Sequence, residues 1–251
     1  MSDFQVFNNY KRLIEIDYFT LFTKCYFALN SYIKVKFQGN DREKIDQLKE
    51  DIKIQNRFNE FFKEDIFIAN LKEFKNSLYE AQIRNDGLLI SFERVKIQAF
   101  SPKEIPEIIR NNIIYNLKIV GGKNEKIKFT CLSKKNNYNK QEEKECKYSE
   151  LEQILNNTDL SKPQRQIIKN SFDEEISQYH QNLNKIIDNI NTSSDEEKNK
   201  IYKGFIEIIY LLRNALFHSQ INPMQEDIHK VYKLAYILFK DFIYKLPTEV
   251  S

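Results

Sequence analysis

Apolar positions recur three and four residues apart over most of this chain, the spacing that lines one face of an α-helix. Phe4, Phe7, Leu13, Ile14, Phe19, Phe22, Tyr26, Phe27, Leu29 and Ile33 make such a face, which predicts one long helix over residues 1–38. Gln38-Gly39-Asn40-Asp41 stops it, with Gly39 able to take the left-handed conformation. A second helix is expected from Asp41 through Ile45, Leu48, Ile52 and Ile54 toward Phe61. A third covers roughly Ile66 to Ile83, ahead of Asn85-Asp86-Gly87.

The period changes after Gly87. Leu88 to Phe92 and Val95 to Ile97 read as extended, and Ser101-Pro102 and Ile105-Pro106 exclude a helix between them and the next run. Ile113-to-Val120 and Lys126-to-Cys131 alternate and are joined by Gly121-Gly122-Lys123-Asn124-Glu125, which predicts a β-hairpin. Lys134 to Lys147 is polar throughout and is expected as a mobile loop. Helical spacing returns at Tyr148–Leu155 and from Pro163 to Ile190, with Pro163 in the first turn. Ser194 and Glu197 fit a capping box for a helix running through Phe205-Ile206-Glu207-Ile208-Ile209-Tyr210-Leu211-Leu212. Asn222, Pro223 and Gln225 predict the start of a last helix with Ile228, Val231, Tyr232, Leu234, Ala235, Leu238 and Phe242 inward. The fold class is therefore mainly α. Helices at 1–84 and 149–251 flank a small α+β insertion at 85–148.

Composition adds limits. Hydrophobic residues make up 41% of the 251, enough for a core, and only 5 Gly and 5 Pro interrupt it, which favours long helices. With 39 basic against 36 acidic residues the net charge is +3, so no broad positive field exists and any RNA contact is local. Cys25, Cys131 and Cys146 form no CxxC pair and no metal-ligand spacing. No cofactor or metal is expected. No signal segment and no long apolar run stands out, so a soluble, cytoplasmic protein with no membrane partner is expected.

Candidate chemistry concentrates in Arg213-Asn214-Ala215-Leu216-Phe217-His218. Arg213 is a permanent cation able to hold a phosphate, and His218 is an imidazole able to move a proton near neutral pH. On an unbroken helix a five-residue separation sets two side chains about 140° apart. The restart signal at Asn222 implies instead that the helix ends near His218, where the two can converge. Leu212, Leu216 and Phe217 would then pack inward and the polar pair would face a groove.

The hexapeptide resembles the R-polar-x3-H signature of the HEPN superfamily of ribonucleases, at a helix end followed by a short connector and a final amphipathic helix. Tyr26-Phe27-Ala28-Leu29-Asn30-Ser31-Tyr32 is similar to the aromatic–Asn–Tyr segment in the opening helix of stand-alone bacterial members. The resemblance covers about 1–60 and 160–246. It implies a HEPN-like helical bundle that dimerises about its motif helices, so that two Arg/His pairs form one composite site. It implies metal-independent cleavage of RNA to 2′,3′-cyclic phosphate and 5′-OH ends, with His218 as general acid or base, Arg213 on the phosphorane charge and Asn214 positioning. Asn30 and Ser219 are carried as RNA-binding or supporting residues. The setting implied is a toxin or anti-phage effector acting on cellular RNA, tRNA included, with an antitoxin or other regulatory partner. Gln220 stands where partner-modified members carry tyrosine, and Ser219 where many carry glycine. A non-catalytic HEPN-like module binding RNA, a nucleotide or a protein is the alternative, and a structural helical adaptor a third.

Blander roles exist for each residue. Arg213 could pair with Glu207 or with a carboxylate of the last helix, and His218 could merely cap a helix. His180 and His229 read as polar-face residues of helices. Arg110-Asn111-Asn112-Ile113-Ile114-Tyr115 mimics the hexapeptide without the histidine and is taken as structural.

Overall fold

The computed structural model describes residues 17–85, 87–98, 108–111, 113–119, 126–133, 140–223 and 225–247, without the side chains of 116–119, 126–133, 140–149 and 171–179. Expectations for residues 1–16, for Ser101-Pro102 and Ile105-Pro106, for the turn at Gly121–Glu125 and for Lys134–Tyr138 lie outside the described residues. The chain divides into two units, residues 1–97 with 182–251, and residues 98–181. The second unit reaches well past the 85–148 stretch expected from sequence.

The first unit is helical. Helix α1 (Tyr18–Lys36) starts at Asp17, whose carboxylate accepts from Phe19 N and Thr20 N at 3.0 and 3.1 Å. The apolar stripe runs through that cap, which is why periodicity alone predicted a single helix from residue 1. Helix α2 (Asp41–Glu50) opens with a capping box between Asn40 and Glu43. Gly39 just before it holds φ +106, and a Cβ there would run into the Glu43 carboxylate. The expected single second helix breaks at Asp51, which leaves helical backbone and caps α3 (Ile52–Asn59) by accepting from Ile54 N at 3.0 Å. A 3₁₀ turn at Glu60–Lys63 leads to α4 (Asp65–Ala81), which ends at left-handed Gln82. Short strands β1 (Arg84–Asn85) and β2 (Leu88–Leu89) pair antiparallel, and β3 (Val95–Lys96) follows.

The second unit holds an antiparallel sheet in the order β4 (Ile108–Arg110), β5 (Ile113–Ile119), β6 (Lys126–Ser133) and β7 (Lys140–Lys147). The predicted hairpin is its β5–β6 pair, with Tyr115 opposite Cys131. Residues 140–147, expected within a loop, are the edge strand β7. Register sets Glu145 opposite Lys128 and Glu143 opposite Thr130. An edge strand tolerates charge on both faces, so it carries no apolar alternation to read. Helices α5 (Tyr148–Asn156) and α6 (Lys162–Tyr179) follow, with Pro163 in the first turn of α6 as expected. α6 stops eleven residues short of Ile190. His180–Gln181 is extended (β8), so His180 does not lie on a helix.

Back in the first unit, Asn182 turns the chain by accepting from Asn184 N at 3.0 Å. The short α7 (Asn184–Asp188) precedes α8 (Asp195–Phe217), opened by the predicted Ser194–Glu197 capping box. The last helix, α9 (Glu226–Lys245), begins later than expected. Gln225 N donates to Asn222 O at 3.2 Å, and Gln225 is the N-cap.

Helix α9 lies along α1 and α4, while α8 packs on α2 and α3. The core between them is aromatic. Phe58 is fully buried, and its ring contacts Phe61, Phe62, Phe67, Tyr202, Phe205 and Phe242. Buried tyrosines need a partner for the hydroxyl. Tyr202 donates to Leu48 O at 2.7 Å, and Tyr232 to Leu212 O at 2.8 Å. Tyr232 thereby ties α9 to α8 one residue before the hexapeptide.

An ion cluster joins α2 to α8 inside this core. Arg42 Nη1 donates to Glu207 Oε1 at 2.8 Å and grips Asp46 with Nε and Nη2. Lys49, fully buried, donates to Glu207 Oε2 and to Lys96 O. Burial alone would push the Glu207 carboxyl up, but the Lys49 ammonium and Arg42 guanidinium outweigh it and hold it down to about 2. Removing one partner of a buried pair strands the other charge. Glu207→Gln is expected to lose about 3–5 kcal/mol in urea unfolding. An ordinary glutamate titrates near 4.3. The carboxylate's contribution is therefore full above about pH 4.3 and is lost as pH falls toward 2, so unfolding across pH should show a steeper acid loss in the wild type than in Glu207→Gln, where Asp17 and Asp51 still contribute.

Candidate functional site

The end of α8 is built by a Schellman closure. Ser219 takes a left-handed φ of +55, Gln220 N donates to Ala215 O at 2.9 Å and Ser219 N to Leu216 O at 3.2 Å. His218 is the C-cap, and its N–H donates to Asn214 O at 2.9 Å. The helix therefore stops at the histidine, as the sequence predicts. Phe217, His218, Ser219 and Gln220 are all exposed.

Arg213 is half-buried on the last turn but one. Its Nη1 donates to Asn214 Oδ1 at 2.9 Å. Its guanidinium carbon lies 5.2 Å from the ring centre of Tyr26 on α1 and 4.8 Å from that of Phe217. Stacking on aromatic faces suits a guanidinium and leaves its hydrogens free in the ring plane. The Nε–H is buried and, among the described residues, has no hydrogen-bond partner. Among the described residues Arg213 makes no ion pair. Glu207, the obvious structural partner, belongs to Arg42 and Lys49. Burial pushes the Tyr26 phenol well up, Arg213 opposes that, and Tyr210 and Asp41 reinforce it more weakly. Tyr26 thus stays neutral beneath the cation.

Asn214 is nearly buried and touches both ends of the motif, holding Arg213 through its side chain and His218 through its carbonyl. Among the described residues no hydrogen bond joins Arg213 to His218. Asn30 is half-buried on α1, four residues beyond Tyr26, and makes no hydrogen bond to either. The structure thus gathers Arg213 and Asn214 with Tyr26, and sets His218 and Ser219 on the open rim. Five donors belong to a guanidinium; Asn214 takes one and the Nε–H is buried, so any anion would meet the Nη donors.

Phe217 departs from expectation. Leu212 is buried and Leu216 half-buried, but Phe217 is 42% exposed because the helix ends at the next residue. Phe27 on α1, counted with the inward face, is 56% exposed, and its ring stacks on Phe217 at 6.4 Å and 24°. Sequence marked Tyr26 and Phe27 within the family-like segment but gave no sign that their rings meet the hexapeptide.

The other candidates take structural roles. His229 packs edge-on against Phe19 at 4.8 Å. Arg110 donates to Gln164 Oε1 at 3.3 Å, and Asn111 turns the chain at φ +51. A cleft of about 330 Å³ lined by Lys75, Tyr79, Ser91, Glu93, Asn184 and Asp188 contains no motif residue, so the expected groove is not the cleft found. Among the described residues no three His, Cys, Asp or Glu groups converge as metal ligands, and no helix is long and apolar enough to cross a membrane. No family model, curated protein or solved structure matches the chain.

A left-handed serine is strained, and glycine relieves that at some cost in chain entropy. Ser219→Gly is expected to raise stability by about 0.5–1 kcal/mol, measured as a shift in the urea midpoint with an unchanged slope.

Proposed function

We propose that this protein is a metal-independent endoribonuclease of the HEPN kind, acting as a homodimer with a composite site. The observation that carries the reading is Arg213. It is a half-buried cation held by Asn214, Tyr26 and Phe217, without a carboxylate among the described residues, and five residues from an exposed histidine. A guanidinium kept in this state is a phosphate ligand, and a histidine at its rim is a proton carrier.

In this mechanism the RNA 2′-oxygen attacks the adjacent phosphorus while an imidazole takes the hydroxyl proton. The P–O5′ bond breaks, and O5′ receives a proton from a second acid. The products are a 2′,3′-cyclic phosphate and a 5′-OH. One His218 cannot serve as base and acid in the same instant, so two copies facing each other supply both. Arg213 from each copy stabilises the charge gathering on the phosphorane oxygens. Asn214 is a positioning residue that fixes the guanidinium. Asn30 and Ser219 support the site from α1 and from the helix end. The biological setting on this reading is a cytoplasmic toxin or anti-phage effector that cuts cellular RNA, tRNA included, and is restrained by a partner.

Purified protein incubated with total RNA in EDTA is expected to give fragments ending in 2′,3′-cyclic phosphate. His218→Ala and Arg213→Ala are each expected to slow cutting at least about 100-fold. Wild-type cutting no faster than His218→Ala, or fragments with 3′-OH ends, would rule the mechanism out.

A further inference from the structure

Helix α1 carries three lysines and no acidic residue between Tyr18 and Lys36. Lys24, Phe27, Ser31 and Lys34 are all exposed. At about 100° per residue they fall within about 80° of arc, one stripe on the helix. Lys36 pairs with Asp51. Lys24 and Lys34 make no ion pair among the described residues. The stripe meets the motif where Phe27 stacks on Phe217 at 6.4 Å, with the Arg213 guanidinium 4.8 Å from the Phe217 ring.

Two large aromatics left more than two-fifths exposed on different helices are an apolar surface awaiting cover. The charges around them select the occupant. Unpaired cations beside stacked rings match a chain that alternates flat bases with phosphates. A duplex buries its base faces against one another, so only an unpaired strand can offer them.

We propose that Phe27 and Phe217 form a stacking platform for bases of single-stranded RNA, with Lys24 and Lys34 holding its backbone along α1, an assignment that rests on reading Arg213 and His218 as the cleaving centre. The platform supplies what Arg213 and His218 lack by themselves, a hold on the nucleotide next to the phosphate. Phe217 is a specificity and positioning residue, favouring unpaired over paired RNA at the cut.

The test uses a short 2′-O-methyl RNA carrying 2-aminopurine, whose attacking oxygen is blocked, so binding is read whether or not the protein cleaves. Stacking quenches the probe. Wild type is expected to bind and quench the single strand, and not to quench the same strand in a duplex. Phe27→Leu and Phe217→Leu, both confirmed folded by thermal unfolding, are expected to weaken binding about tenfold and abolish the quench. Lys24→Gln with Lys34→Gln is expected to keep the quench and lower the salt slope of log affinity by about 1.4. Unchanged affinity in both Phe variants overturns the proposal. So does weaker binding that tracks loss of a dimer in light scattering, since the patch is then a contact between copies. Quenching without cleavage of unmodified RNA removes the nuclease reading and leaves the platform standing.

Discussion

Glu207 decides how the rest of this molecule is arranged. It is a carboxylate almost completely buried in the middle of α8, and it is tolerated there because Arg42 and Lys49 reach it from α2. Such a cluster is costly to assemble and specific once assembled, since any slip of α8 against α2 strands a charge in the core. Its position fixes the register of the motif helix. The cluster commits Glu207 to Arg42 and Lys49, while Arg213, six residues further along and about 120° round the helix, makes no ion pair among the described residues. The middle of α8 is closed electrostatically, and Arg213 follows in its last turns.

The open end is held by softer interactions. Tyr26 and Phe217 bracket the guanidinium, Asn214 takes one of its donors, and the Schellman turn at Ser219 stops the helix at His218. A buried Nε–H without a partner among the described residues is a local violation of the rule that buried polar groups are satisfied. Violations of this kind are found at functional or strained sites. On the proposed reading one chain supplies a cation that holds an anion and an exposed imidazole, and acid and base together come from a second copy.

The sequence reveals the motif helix well because each signal in it is local: Ser194 and Glu197 cap its start, and the apolar period carries it to Leu212. Asp17 and Asp51 were legible in principle as caps, yet apolar residues continue in register across both and hide the breaks. Strand β7 was not legible, since Lys and Glu on an edge carry no alternation of burial. The partners of Glu207 lie more than 150 residues away and appear only when the chain folds. Phe27 and Phe217 mislead for a related reason. An aromatic at helical spacing reads as core, and only the helix end and the neighbouring helix show that both rings face outward.

On the proposed reading Arg213 holds a phosphate whose neighbouring hydroxyl gives its proton to His218. Titration of a 2′,3′-cyclic nucleotide monophosphate, followed by NMR at the Arg213 Nε–H and the His218 imidazole, tests it directly. Both signals moving along one saturation curve is the predicted result. An Nε–H that stays in place while the ligand saturates, or an imidazole that responds alone, would contradict it.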